Sequence, residues 1–174
     1  MNQKAIFLDR DGVVNIEKDY LYKAEDFEFI SGLFEALHYL KSLGFIFFII
    51  TNQSGIGRGY YTQEDFERLT KWMVEQFYNQ GIIIEQVEYC PHSPKEECDC
   101  RKPKTGMIDK ISQNFEIDFE NSWLIGDKQS DIECANNSGI KNTIQVRSGH
   151  EFESSIANFV IDKLDFNEIS RIIF

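Results

Sequence analysis

Along this chain, short runs rich in Ile, Val and Phe alternate with longer segments whose apolar residues recur at helical spacing, and that alternation restricts the possible folds more than any other feature. Strands are expected at residues 5–8, 45–50, 82–89, 122–125 and 140–146, with a shorter one at 159–161. Leu33, Leu37, Leu40 and Leu43 line one face of a helix expected over 32–43, and Gly44 is a suitable stop before the next strand. Further helices are expected over 63–80 with Thr62 as N-cap, over 107–115, over 130–137 and after Asp165. Strands joined through helices pair in parallel, so the fold class is α/β: a Rossmann-like three-layer α/β/α sandwich with a mainly parallel sheet. In such a sheet reactive groups gather beyond the C-terminal ends of the strands. The polar residues that follow each strand are therefore the ones to read.

Composition sets the outer limits. The 174 residues, 42% of them hydrophobic, suffice for one core and not for two ordinary domains, so a single domain over 1–174 is expected. A net charge of −11 argues against a nucleic-acid partner, because phosphate-backbone affinity comes from clustered Lys and Arg that release counterions. An acidic protein can still bind a small anion if it concentrates positive charge locally. The longest apolar run, 45–50, is far below membrane-spanning length, so a cytoplasmic protein without membrane association is expected, with a monomer as the simplest state.

Asp9-Arg10-Asp11-Gly12 stands directly after the first strand, where two carboxylates one residue apart can serve as nucleophile and general acid/base. Alone, such a pair reads as a solvated polar turn. The same chain, however, carries Thr51-Asn52 after its second strand, Lys102 in the long loop, and Gly126-Asp127 after the strand at 122–125. Thr51 as a turn cap and Asp131 as a support for the following helix are the plainer readings of two of these residues. Cys90-Pro91-His92 and Cys98-Asp99-Cys100 add four soft or borderline ligands within a short span, the complement for a tetrahedral Zn²⁺. The plainer reading buries Cys90 at its strand end and leaves the others free on a loop. Bound zinc would brace Arg101-Lys102, which follow Cys100 without a break. Cys134 reads as a small buried thiol, His38 and His150 have no assigned role, and Gly55-Ile56-Gly57-Arg58-Gly59 reads as a flexible loop facing the substrate.

Taken as a set, Asp9-Arg10-Asp11-Gly12-Val13, Thr51, Lys102 and Gly126-Asp127-Lys128-Gln129-Ser130-Asp131 resemble the haloacid dehalogenase (HAD) superfamily of phosphatases. The resemblance implies that Asp9 attacks phosphorus and becomes a transient aspartyl phosphate, and that Asp11 serves as acid and then as base. It places Mg²⁺ on the side chains of Asp9 and Asp127 and the backbone carbonyl of Asp11, with Thr51 and Lys102 stabilising the phosphoryl group. Thr51-Asn52-Gln53-Ser54-Gly55-Ile56-Gly57-Arg58-Gly59 and the Cys/His loop narrow the likeness to the group that holds heptose bisphosphate and histidinol phosphatases.

That group membership implies a phosphorylated sugar substrate, in heptose synthesis for surface polysaccharide, or else histidinol phosphate. It assigns substrate contacts to Arg10, Glu17, Lys18, Asp19, Tyr20, Asn52, Gln53, Ser54, Arg101 and Lys128. Arg58 joins them because a second phosphate needs another cation. It also implies that Cys90, His92, Cys98 and Cys100 bind a structural Zn²⁺ beside the catalytic Mg²⁺. The segments between Asp11 and Gly32 and between Tyr89 and Met107 are too short for a separate cap domain. A receiver-type phosphoacceptor domain is the rival from another class, but it would need its phosphorylated Asp where this chain has Cys90-Pro91-His92.

Overall fold

The side chains of strand β1 (Ala5–Leu8) are wholly buried and alternate between two separate cores, Ile6 and Leu8 in one, Ala5 and Phe7 in the other. A strand apolar on both faces needs a layer of helices on each side. The computed structural model describes residues 2–174. Beyond β1, the strands among these residues are β2 (Ile46–Asn52), β3 (Ile84–Cys90), β4 (Trp123–Gly126), β5 (Asn142–Val146) and β6 (Phe159–Ile161). They form one sheet in the order β3-β2-β1-β4-β5-β6, every neighbour parallel.

The helices are α1 (Leu33–Ser42), α2 (Ser54–Gly57), α3 (Gln63–Asn79), α4 (Gly106–Ser112), α5 (Gln129–Ser138) and α6 (Phe166–Ile169). Leu37, Leu40, Met73, Phe77 and Ile169 bring α1, α3 and α6 to the face that holds Ile6 and Leu8. Met107, Ile111, Cys134 and Ala135 bring α4 and α5 to the face that holds Phe7. The three layers expected from the sequence are thus present. Thr62 opens α3 as anticipated: its hydroxyl accepts from Asp65 N at 3.1 Å while the Asp65 carboxylate accepts from Thr62 N at 3.0 Å.

Strand order decides where a site can form. The chain moves outward from β1 to β2 and β3, then returns to lay β4 on the other side of β1, so the connections leaving β1 and β4 diverge. The crevice between those two strand ends is the topological switch point. Asp9 follows β1 and Asp127 follows β4, and Asp9 N extends the ladder to Ile125 O at 3.0 Å.

Several boundaries differ from expectation. Thr51, Asn52, Cys90 and Gly126 lie within strands rather than after them, because the ladder continues past the apolar runs through Thr51↔Tyr89, Asn52↔Cys90 and Gly126↔Gln145. Backbone pairing is indifferent to side-chain polarity. The segment expected to be a flexible loop at 55–59 instead begins inside the helical turn α2, closed by Arg58 N to Ser54 O at 3.0 Å. Among the described residues no helix is long and apolar enough to cross a membrane.

Phe48 at the centre of β2 has no exposed surface; its ring stacks on Phe7 at 5.3 Å and meets Phe115 near edge-on at 4.9 Å. We expect Phe48→Ala to destabilise the protein by about 3–5 kcal/mol, since it removes a large buried surface and leaves a cavity in a close-packed layer. Urea unfolding reads this as a lower midpoint at unchanged slope. A loss under about 1 kcal/mol would show that the layer collapses around the gap.

Candidate active site

Lys102 reaches the switch point from the loop after β3. Its ammonium lies 2.9 Å from Asp9 Oδ1, 2.7 Å from Asp131 Oδ1 and 2.9 Å from the Ile50 carbonyl. All three ammonium donors therefore have acceptors, in a place where the Lys102 side chain is only 2% exposed. Burial on its own lowers the Lys102 pKa, but Asp131 and Asp9 outweigh it and hold the pKa above the ordinary lysine value. For Asp9 burial is the largest influence and pushes the carboxyl up, with Asp131 adding to the rise and Lys102 opposing it.

Asp131 does more than support a helix. Its Oδ2 accepts from the backbone N–H of Asp127 at 3.1 Å and of Lys128 at 3.0 Å, capping α5 and fixing the chain that carries Asp127. The third carboxylate, Asp127, is also buried. One of its oxygens, Oδ2, accepts from His150 N at 2.9 Å and pairs with His150 Nδ1 at 2.6 Å. The other, Oδ1, is buried without a hydrogen-bond partner. Burial opposes ionisation of Asp127, yet the neighbouring Asp9 carboxyl and His150 hold it below the usual carboxylate range.

An unsatisfied buried oxygen costs on the order of 1–3 kcal/mol, more for a charged group. Oxygens of Asp9, Asp127 and Asp131 lie within 4.8 Å of one another. Acceptors so arranged call for a hard cation, and this donor set of carboxylate oxygens fits Mg²⁺.

Asp11 sits apart from that group. Its carboxylate accepts from Arg10 Nη2 at 2.9 and 3.1 Å, from Asn15 Nδ2 at 3.0 Å and from Gln53 Nε2 at 3.1 Å. Gln53 is oriented in turn: its amide donates to Thr51 Oγ1 at 2.8 Å and its carbonyl accepts from Tyr61 Oη at 2.5 Å. Tyr61 is pushed up to about 12, chiefly by burial, and so remains a donor.

These groups face a cavity of about 260 Å³. Of the contacts expected from the sequence, Glu17, Asp19, Tyr20, Asn52, Gln53, Ser54, Arg58, Arg101 and Lys128 line it together with Asp9, Asp11 and Lys102. Arg58, Arg101, Lys102 and Lys128 put four cations around one opening of an acidic chain. Burial and Asp11 push Glu17 up to about 7.

Two expected contacts lie elsewhere. Arg10 is 1% exposed, with its guanidinium committed to Asp11 and the Leu21 carbonyl, so it orients Asp11 from below the cavity. Lys18 turns outward to the Asp26 carbonyl at 2.6 Å and to Glu28. Thr51 is buried beneath Gln53 and does not line the cavity. Tyr61, Asp131 and His150 do line it, although sequence reasoning gave none of them a contact there and left His150 without any role. The signal for His150 was available: Ser148-Gly149-His150 is the polar stretch just beyond β5, at the same strand edge as the other site residues.

Cys90 at the end of β3 and His92, Cys98 and Cys100 in the loop after it converge as well. Cys90 Sγ lies 3.4 Å from His92 Nδ1 and 3.7 Å from Cys98 Sγ, and His92 Nδ1 lies 3.3 Å from Cys100 Sγ. Tetrahedral zinc with its usual bond lengths separates two sulfurs by about 3.8 Å and sulfur from nitrogen by about 3.5 Å, so these donors fit that ion. The loop is tied down beside the site, where Asn52 accepts from Lys102 N at 3.0 Å and donates to Lys102 O at 3.3 Å. Lys104 Nζ donates to the Cys98 carbonyl.

Comparison with known proteins agrees with this geometry. The HAD-hydrolase-like family model matches residues 99–165. A D-glycero-alpha-D-manno-heptose-1,7-bisphosphate 7-phosphatase from Campylobacter jejuni is 49% identical over 146 residues, covering 84% of each chain. A D-glycero-beta-D-manno-heptose-1,7-bisphosphate 7-phosphatase from Helicobacter pylori is 47% identical over 142 residues, 81% of this chain and 82% of the relative. Among solved structures, a D,D-heptose 1,7-bisphosphate phosphatase from B. bronchiseptica, complexed with magnesium and phosphate, superposes with a TM-score of 0.83 at 26% identity, covering 97% of both chains. With the buried Asp9-Lys102-Asp131 row and the open Asp127 oxygen at the switch point of the sheet, these likenesses establish that the chain belongs to the HAD-like phosphatases, in the family of the D-glycero-D-manno-heptose-1,7-bisphosphate 7-phosphatases.

Proposed function

We propose that this enzyme removes the C7 phosphate of D-glycero-D-manno-heptose 1,7-bisphosphate through an aspartyl phosphate on Asp9. The observation that carries the reading is Asp9 itself, buried at the switch point, paired with Lys102 and facing a cavity rimmed by cations. Asp9 donates an electron pair to phosphorus as the bond to the C7 oxygen breaks, and Asp11 delivers a proton to the departing oxygen. Water then loses a proton to Asp11 and attacks phosphorus, the bond to Asp9 breaks, and inorganic phosphate leaves with both carboxyl groups restored.

The side chains of Asp9 and Asp127, with the backbone carbonyl of Asp11, would hold Mg²⁺, whose chemistry when bound is to offset the repulsion between an anionic nucleophile and an anionic substrate. Lys102 adds a fixed positive charge that costs no reorganisation during the reaction. Thr51, buried below the cavity, supports the site by holding the Gln53 amide that meets Asp11. Before acting as an acid, Asp11 exchanges its bonds to Arg10, Asn15 and Gln53 for the leaving oxygen. Glu17, Asp19, Tyr20, Asn52, Gln53 and Ser54 meet the sugar, and Arg58, Arg101 and Lys128 supply cations for the phosphate that remains at C1.

Cys90, His92, Cys98 and Cys100 would hold one Zn²⁺ that keeps Arg101 and Lys102 in register with Asn52. Thiolate ligation suits a reducing compartment, which supports a cytoplasmic enzyme.

Three measurements test this. We expect Asp9→Asn to lower kcat by at least about a thousandfold with little change in melting temperature, because the amide cannot form the acyl phosphate. Turnover within tenfold of wild type would remove Asp9 from the nucleophile's role. We expect metal analysis of protein purified without chelator to find one zinc per chain, and Cys98→Ser with Cys100→Ser to lose it; zinc-free wild-type protein with reduced, unmodified thiols would dismiss the site. We also expect kcat/KM for a heptose 1,7-bisphosphate, assayed as both anomers with excess Mg²⁺, to exceed that for histidinol phosphate by roughly a hundredfold or more. Equal efficiency would sink the substrate assignment and leave the phosphatase mechanism standing.

A further inference from the structure

Beyond β5 the chain folds Ser148-Gly149-His150 directly onto the reaction centre. Ser148 Oγ donates to the Gly12 carbonyl at 2.7 Å, which ties this segment to the turn that carries Asp9 and Asp11. Gly149 follows so closely on Asp127 that a Cβ there would lie 2.2 Å from Asp127 Oδ2, and one on Gly12 would lie 2.7 Å from Gly149 Cα. Neither position has room for a side chain. His150 then places two donors on the same oxygen, its backbone N–H at 2.9 Å and Nδ1 at 2.6 Å from Asp127 Oδ2. Facing a carboxylate at that distance, Nδ1 is the protonated ring nitrogen.

The consequence is asymmetric. One oxygen of Asp127 is saturated by His150, and the other, Oδ1, is left buried and bare. A carboxylate free to turn could offer either oxygen or both. A carboxylate pinned through Oδ2 offers one oxygen in one direction, which is what a small octahedral cation that accepts single oxygen atoms at close range requires.

We propose that His150 is a positioning residue for the catalytic cation: the Ser148-Gly149-His150 segment is a latch that presents Asp127 Oδ1 to Mg²⁺. This rests on the reading of Asp127 as a metal ligand given above. The side chain of His150 is 44% exposed, so its replacement does not open the core, and the backbone donor of residue 150 survives every substitution except proline.

The test is calorimetric titration of Mg²⁺ into the zinc-loaded, substrate-free protein, alongside kcat measured over a range of Mg²⁺ and the melting temperature without it. We expect His150→Ala to weaken Mg²⁺ binding roughly tenfold to a hundredfold, with kcat recovering to within about threefold of wild type at saturating Mg²⁺. His150→Asn, whose amide N–H can stand in place of Nδ1, is expected to bind Mg²⁺ within about threefold of wild type. Unchanged Mg²⁺ affinity in His150→Ala overturns the proposal. So does an Asn variant as weak as the Ala variant, or a kcat that excess Mg²⁺ does not restore. Should His150→Ala lower the metal-free melting temperature enough to blur the titration, the Asn variant against His150→Leu, which keeps bulk without a donor, asks the same question. Asp127→Asn separates the two readings: if it binds Mg²⁺ as wild type does, the assignment of Asp127 itself fails, whereas loss of binding there with none in His150→Ala rejects the latch alone.

Discussion

The ammonium of Lys102 has all three of its donors committed inside the protein, to Asp9, Asp131 and the Ile50 carbonyl, which arrive from β1, α5 and β2. A lysine charge in that position without partners would cost several kcal/mol, and each partner left behind on its loss would be a buried charge of the opposite sign. The strand edge is therefore assembled as a unit. Lys102 in turn depends on the loop that delivers it, which Asn52 clasps through both backbone groups of Lys102 and which the Cys90, His92, Cys98 and Cys100 side chains draw together from the other end.

Two carboxylates in one short motif enter different surroundings. Asp9 stands among other carboxyls and one lysine, where burial raises its pKa and a cation is wanted. Asp11, two residues on, is surrounded by neutral and cationic donors from Arg10, Asn15 and Gln53. The first setting leaves carboxyl oxygens gathered around one buried ammonium, and the second ties each oxygen of Asp11 to fixed donors. Gly12, with φ at 90°, lets the chain turn sharply enough for both to leave the same strand.

The chain's net charge of −11 does not oppose an anionic substrate, since at physiological salt charges more than about 8 Å away across solvent are largely screened. Arg58, Arg101 and Lys128 line the cavity above the buried Lys102, and loops and one helical turn close it rather than a separate cap.

The sequence by itself determined the layered fold and the place of Asp9 at the end of the first strand. Runs such as Ala5–Leu8 record burial on both faces of a strand, helical spacing such as Leu33, Leu37 and Leu40 records burial on one stripe, and both are local properties of the chain. The gathering of Asp9 and Asp127 at one sheet edge could be anticipated because both directly follow strands, and that of the four Cys/His side chains because they are close in sequence. Arg10 was misplaced, since nothing local tells whether a guanidinium beside Asp11 turns outward to a ligand or back beneath it to Leu21. The second task of Asp131 and the grip of His150 on Asp127 were decided by tertiary structure alone. They depend on atoms brought together from separate elements, Lys102 onto Asp131 from the loop after β3 and His150 onto Asp127 over 23 residues, and periodicity carries no record of which distant partner a buried polar atom will find.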